Sequence, residues 1–211
     1  MPAMPHNTPR SSRFAAAWRL AAASATLALS ACAGTQAPTN KAIYDFGPST
    51  ANTAVSAPAF LGPLALADVS ASLALDSTAV QYRLVYANPQ ELRPYALARW
   101  TMPPAKLIQQ RVRSTLSARG PVLTPGVVAT AYTLKLELEE FSQVFNAPGA
   151  SQGVMQLRAT LLKGNALAAQ RNFTAQAPAA SADASGGVRA LSTAADEVAK
   201  QLSDWVGENM R

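Results

Sequence analysis

The sequence predicts an α+β domain, a mostly antiparallel sheet with two main helices packed on one face. Three observations predict it. Tyr132, Leu134, Leu136 and Leu138 alternate with Thr133, Lys135, Glu137 and Glu139, the period of a strand with one buried face. Lys163-Gly164-Asn165 divides the two runs that follow, Val154 to Leu162 and Leu167 to Phe173, as a hairpin turn would. Val188, Leu191, Ala195, Val198, Leu202 and Trp205 recur at steps of 3, 4, 3, 4 and 3, a helical stripe. A strand group, a helix, a meander and a last helix, in that order, suit segregated layers.

Taken from the start, the chain opens on a targeting segment. Arg10, Arg13 and Arg19 supply charge with no acid among them, and Leu20 to Ala31 is a short apolar run. That run is too short for a spanning helix, which needs roughly 20 apolar residues. Leu29-Ser30-Ala31-Cys32 closes it with the only cysteine of the chain. This resembles the bacterial lipobox, so residues 1–31 are expected to be a lipoprotein signal peptide. Cys32 then carries a diacylglycerol thioether on sulfur and an acyl chain such as palmitate on its freed amine, with no other cofactor. Two or three chains hold firmly where one gives only marginal attachment. The competing reading is a free cysteine in an uncleaved anchor. The second mature residue is Ala33 rather than aspartate, which favours the outer membrane, facing the periplasm.

Removing residues 1–31 leaves 180, enough for one domain with a sizeable core. The cut takes three arginines, so 15 basic and 12 acidic residues remain and the net charge falls from +6 to +3. The basic balance is partly a targeting effect, and no motif supports nucleic-acid binding. His6 leaves with the signal and Cys32 is acylated, which removes Cys/His metal sites, cysteine nucleophiles and histidine triads.

The mature chain divides into Cys32 with a flexible tether over 32–42, one domain over 43–206 and a tail over 207–211. The nine residues from Ala33 to Lys41 reach at most about 30 Å. Ile43 to Phe46 reads as a short strand stopped by Gly47-Pro48, and Ser49 to Pro58 as a loop. Leu64 to Val69 is the next strand. Leu73 and Leu75 lead into the turn Asp76-Ser77-Thr78, and Val80, Tyr82 and Leu84 mark another strand. Tyr95 to Trp100 is the last of this group.

Pro103-Pro104 ends that strand and opens a helix, because proline is tolerated in a first turn. Leu107, Ile108, Val112 and Leu116 form its apolar face, Arg111, Arg113 and Arg119 are expected off it, and Gly120-Pro121 stops it. Residues 132–173 read as an antiparallel meander. Ala175 to Gly187, small and low in complexity, is expected to be a mobile loop or a frayed helix start. Gly207 is placed to end the last helix.

The matching pieces of a known pattern now stand in order. They are Tyr44-Asp45-Phe46-Gly47, Val80-Gln81-Tyr82-Arg83, Tyr95 leading to Arg99-Trp100, and Pro103-Pro104 with Leu107. Phe141-Ser142-Gln143-Val144-Phe145 and the helix ending at Trp205 complete them. From 43 to 206 the chain resembles the ABC-type transport auxiliary lipoproteins, the group that includes the paraquat-inducible protein C lipoproteins. Gly186-Gly187 ahead of the last helix departs from that pattern. The resemblance implies a non-enzymatic, outer-membrane-anchored adaptor of an ABC transporter system for lipids. Its expected partners are an MCE-domain protein (mammalian cell entry) and outer-membrane lipid, with self-assembly left open. A lipid-binding carrier module, holding a chain between sheet and helices, is the alternative. An activator of a cell-envelope enzyme ranks behind both.

Three constellations have competing readings. Gly149-Ala150-Ser151-Gln152-Gly153 spells the nucleophile-elbow pattern, but strand-like sequence follows and no histidine survives maturation, so a flexible loop between strands is preferred to catalysis. Between Arg93 and Lys135 stand seven basic residues and no acid, either a solvated helix face or a patch for anionic headgroups or an acidic partner. Trp100 is either a core aromatic or, with Tyr82, Tyr95 and Arg99, an interface anchor. The candidate contacts for a partner or lipid are therefore Tyr82, Tyr95, Arg99, Trp100, Arg111 and Arg113. No catalytic or metal site is assigned.

Overall fold

A computed structural model describes residues 40–48, 60, 62–127 and 129–210. The lipobox, most of the tether and the Ser49–Pro58 loop lie outside the described residues. The elements are β1 (Ala42–Tyr44), β2 (Leu64–Leu66), β3 (Ser70–Ala71), β4 (Ala79–Leu84), β5 (Leu92–Trp100), α1 (Pro104–Ser117), β6 (Val122–Leu123), β7 (Tyr132–Ala147), β8 (Ala150–Lys163), β9 (Ala166–Pro178) and α2 (Ala184–Asn209). This is the α+β class read from the sequence.

Strand β7 is the axis. Along its whole length it pairs antiparallel with β8, which pairs antiparallel with β9. Its other edge is shared by three short parallel partners: β2 at Tyr132–Leu134, β3 at Glu137–Leu138 and β4 at Gln143–Phe145. The sheet therefore forks, continuing through β4 to β5 and β1 on one branch and through β2 to β6 on the other. A register shift between Leu138 and Glu140 moves the inward face from Tyr132, Leu134, Leu136 and Leu138 to Phe141, Gln143 and Phe145. One extra residue at a bulge reverses every side chain beyond it.

The meander read from alternation is correct, and its strands are longer than the apolar runs. Pro148 and Gly149 form the two-residue turn between β7 and β8, with Gly149 at φ 80°. The Gly149–Gly153 stretch is thus a tight turn and the start of β8, not a flexible loop, with Ser151 paired to Phe145. Strand β5 begins at Leu92, ahead of the expected Tyr95. Pro94 is tolerated there because β1 covers only Ala98–Trp100, which leaves that part of β5 an edge.

Both helices share one core with the sheet, in which Ile108, Val112 and Leu116 of α1 and Leu191, Val198 and Leu202 of α2 are buried. Helix α2 lies over β8 and β9 and against α1. Ala175 to Gly187, expected to be a mobile loop or a frayed helix start, is instead the end of β9, a short connection and the capped first turn of α2. Ala175 and Ala177 finish β9 facing inward, and the Asp183 carboxylate caps α2 by accepting the Gly186 N–H at 2.7 Å. The small residues are required because α2 crosses the sheet closely. A Cβ on Gly153 would lie 2.5 Å from the Leu191 nitrogen, and one on Gly187 would overlap the Gln143 amide. Gly207 does not end the helix, which runs on to Asn209. Its missing side chain leaves room for the Arg119 guanidinium, which donates to the Ser203 carbonyl at 2.6 Å and pairs with Asp204 at 3.2 Å. Among the described residues, no helix is long and apolar enough to cross a membrane.

Candidate functional site

The site that emerges lies where the β4–β5 and β7–β8 hairpins end side by side under the start of α2. Tyr82 of β4 stands in register with Gln143 of β7, and Tyr95 of β5 reaches the same place from the next strand. The Tyr95 hydroxyl donates to Gln143 Oε1 at 2.8 Å, and Gln143 Nε2 donates to Ser151 Oγ at 2.7 Å. Gln143 is fully buried, so both amide atoms must find partners within the protein, and they do. The Tyr82 and Tyr95 rings lie 4.6 Å apart, and Phe145 meets Tyr82 edge-on at 6.1 Å. Burial, then the neighbouring Tyr82 and Asp183, pushes the Tyr95 hydroxyl up to about 12, so it is a neutral donor at any physiological pH. Val85 and Tyr86, just beyond β4, are exposed beside this cluster. The result is a rigid aromatic shelf with an apolar rim.

The other sequence-predicted residues separate. Trp100 is 1% exposed and packs against Phe46 and Phe141 at 5.5 and 5.7 Å, so it is a core aromatic and touches no partner directly. Arg111 is a correction. It lies on the buried face of α1 at 6% exposure, pairs with Asp196 of α2 at 2.7 Å, and donates to the Phe46 and Gly47 carbonyls at 2.8 and 3.0 Å. It joins two helices and the segment after β1, and is not part of a solvated or docking patch. Arg113 donates to the Val122 carbonyl at 3.0 Å, and Arg119 is held by α2. The run of seven basic residues is thus no single surface. Arg99 is exposed on the far side of the sheet. Glu137 and Glu139 face outward and both pair with Arg158, as a solvated strand face requires.

Sequence reasoning missed Gln143, Ser151 and Gly187. A polar residue at an inward register position was the available signal for the first two, and it appears only after the bulge is placed. Ser151 is engaged by Gln143 inside a strand, which is a structural use of a hydroxyl rather than a nucleophile's setting. The space between sheet and helices, where a carrier would hold its cargo, is filled by Leu134, Leu138, Met155, Leu157 and Leu161, all nearly or fully buried. An open cleft of about 510 Å³ lies instead between Ile43–Gly47 and the Val188–Thr193 side of α2.

The model of the ABC-type transport auxiliary lipoprotein component family matches residues 44–203, well over half of the chain. The chain belongs to that family. Family members are lipoprotein components of ABC transport systems, which makes a membrane-anchored periplasmic protein with a transporter partner the coarse reading of this auxiliary lipoprotein. A crystal structure of a protein from Xanthomonas campestris is similar at TM-score 0.66 and 23% identity, covering 72% of this chain and 87% of that one. A hypothetical protein from Chlamydia trachomatis is similar at TM-score 0.50 and 8% identity, covering 71% and 97%. At such identities the likeness shows the fold alone. No curated protein matches this auxiliary lipoprotein.

Proposed function

We propose that this auxiliary lipoprotein is an adaptor, fixed by acyl chains on Cys32 to the periplasmic side of the outer membrane, for an MCE-type ABC lipid-transport complex. The observation that carries the reading is Leu29-Ser30-Ala31-Cys32 at the end of the N-terminal apolar run, in a chain whose family is a lipoprotein component of ABC transport. Residues 1–31 are removed, residues 32–42 form the tether, and the domain from 43 onward does the docking. Anchoring raises the local concentration of the domain for a partner that spans the periplasm. The shelf of Tyr82 and Tyr95, rimmed by Val85 and Tyr86, is the docking surface, because rigid aromatics with a polar handle dominate binding hot spots. The filled space between sheet and helices favours the adaptor over the carrier, and no enzymatic step is assigned.

Cell fractionation tests it. The wild type should sediment with outer membranes, incorporate labelled palmitate and retain the complex's MCE protein on pull-down. Cys32→Ser should lose all palmitate and leave the outer-membrane fraction. A correctly processed serine variant that still sediments with outer membranes refutes the anchor. Near-stoichiometric phospholipid on the purified domain in native mass spectrometry refutes the adaptor in favour of the carrier.

A further inference from the structure

We propose that the outward face of β1 and β5, formed by Ile43, Leu97 and Arg99 with exposed Lys41 just ahead of β1, rests on the anionic surface of the bilayer that holds the chain's own acyl groups. The proposal rests on the acylation of Cys32 and adds an orientation to it. Ile43 and Arg99 are register partners in the parallel β1–β5 pair, so both side chains leave the same face of the sheet. Leu97 lies two residues back along β5 on that face, opposite the side on which Ala98 and Trp100 join the core. Ile43 is 54% and Leu97 55% exposed, two large apolar side chains left in solvent on neighbouring strands. Lys41 and Arg99 are exposed beside them.

Charge selects the occupant. Arg83, Arg93, Lys106, Arg111, Arg119 and Arg158 are each engaged by a carboxylate. Among the described residues, Lys41 and Arg99 have no ion-pair partner, as is also true of Arg113, Lys135, Arg171, Arg189 and Lys200, but here the two cations stand with exposed Ile43 and Leu97, and neither β1 nor β5 contains an acid. The acid that follows β1, Asp45, has its carboxylate turned to the Gly47 N–H at 2.8 Å. Paired apolar stems and free cations suit a headgroup layer, where the stem enters the interface and the charge meets phosphate. Chain length selects the place. The nine residues from Ala33 to Lys41 allow at most about 30 Å between the acylated cysteine and this patch.

Two apolar side chains and two cations would not hold a domain alone; each cation near an anionic surface strengthens contact roughly fivefold. The contact is therefore an orienting one that operates at the concentration the anchor supplies. Its consequence is directional. From Arg99 to Tyr95 is about 13 Å along β5 at roughly 3.3 Å per residue, and the register shift in the β4–β5 pair between them turns the two side chains to opposite faces, Tyr95 to buried Gln143. Seating the outward face on lipid turns the helices and the aromatic shelf toward the periplasm.

The acylated mature chain, reconstituted on vesicles of phosphatidylethanolamine with phosphatidylglycerol, tests the proposal. Because the Cys32 sulfur is in a thioether, Leu97→Cys and Lys200→Cys each provide the only free thiol for a nitroxide label. Collision with oxygen and with an aqueous nickel chelate is then read by electron spin resonance. At 97 the label should lose nickel collisions severalfold and gain oxygen collisions, while at 200 neither changes. Adding Lys41→Glu and Arg99→Glu should return the label at 97 to aqueous values. A label at 97 as accessible to nickel as the one at 200, on chains that sediment with vesicles, overturns the proposal and leaves the anchor standing. Loss of nickel collisions without gain of oxygen means a protein contact and also overturns it. Failure to sediment strikes the anchor, and the orientation falls with it.

Discussion

Arg111 offers the sharpest test of how the domain is held together. Replacing it with alanine removes one ion-pair partner of Asp196 and takes the guanidinium donor from the Phe46 and Gly47 carbonyls. Removing one member of a buried pair costs about 3–5 kcal/mol. The Asp196 side chain is about a third exposed and can rehydrate, so the lower end of that range applies to the pair. The two carbonyl bonds, each to a charged donor, bring the expected loss to about 4 kcal/mol, short of simple addition because all the contacts share one guanidinium. In a domain of this size that lowers Tm by about 8–16 °C. Urea unfolding of the unacylated mature chain, made with Cys32→Ser and lacking residues 1–31, measures it. A midpoint shift worth less than about 1 kcal/mol refutes the structural role. The double variant Arg111→Met with Asp196→Leu should recover most of the loss, since an apolar pair of similar size is often as stable as the ion pair it replaces. A partner-facing arginine would give the reverse pattern, with little change in stability and loss of binding.

Two further outcomes follow from the approach of α2 to the sheet. Gly153→Ala places a methyl 2.5 Å from the Leu191 nitrogen and 2.6 Å from the Ala190 carbonyl carbon, backbone that cannot rotate away, so it should cost about 1–3 kcal/mol in the same urea assay; a neutral result means the helix rides higher than described. Asp183 accepts the Gly186 N–H and then the Ser181 hydroxyl, which hold its carboxyl below the ordinary 3.8, so its contribution is fully present above that value and is lost as pH falls through the lower folded-state value. Asp183→Asn keeps a capping oxygen that cannot titrate, and its thermal stability should fall less than wild type below about pH 4; identical acid profiles would show that the cap is not titrating there.

Where a period was regular, the sequence carried the fold. The β7–β9 meander and the inward residues of α2 followed from steps of two and of three or four. The short parallel pairings of β1, β2, β3 and β4 left no such trace, because three-residue ladders carry no period and their partners are distant in the chain. Arg111 was misplaced by its charge although its position was informative. It stands four residues after Leu107 and three after Ile108, within the apolar stripe, and what makes burial tolerable there is Asp196 on the other helix. The small residues of Ala175–Gly187 read as a mobile loop or a frayed helix start by composition, whereas close packing of helix on sheet demands the same residues.

Apart from Pro103-Pro104 with Leu107 and the helix ending at Trp205, which meets Phe173, the pieces that carry the family resemblance fall into two clusters against β7. Partly buried Phe46 meets buried Trp100 and Phe141 in one group, which the Arg111 guanidinium reaches through the Phe46 ring at 5.8 Å. Tyr82, Tyr95, Gln143 and Phe145 form the other, at the hairpin end. In the first, Trp100 and Phe141 are buried and the partly buried Phe46 caps them beside the cleft along α2; the group fixes how β1, β5, α1 and β7 meet. The second keeps its tyrosines half-buried beside exposed Val85 and Tyr86, although the same strands could have placed aliphatic residues there. A stability role accounts for Gln143, which must satisfy two buried amide atoms. It does not account for an aromatic pair left at the rim, where burial is incomplete and each ring forgoes part of its transfer free energy. That incomplete burial is what the proposed docking partner would complete, and on that proposal the partner would stand on the side of the sheet away from Ile43, Leu97 and Arg99.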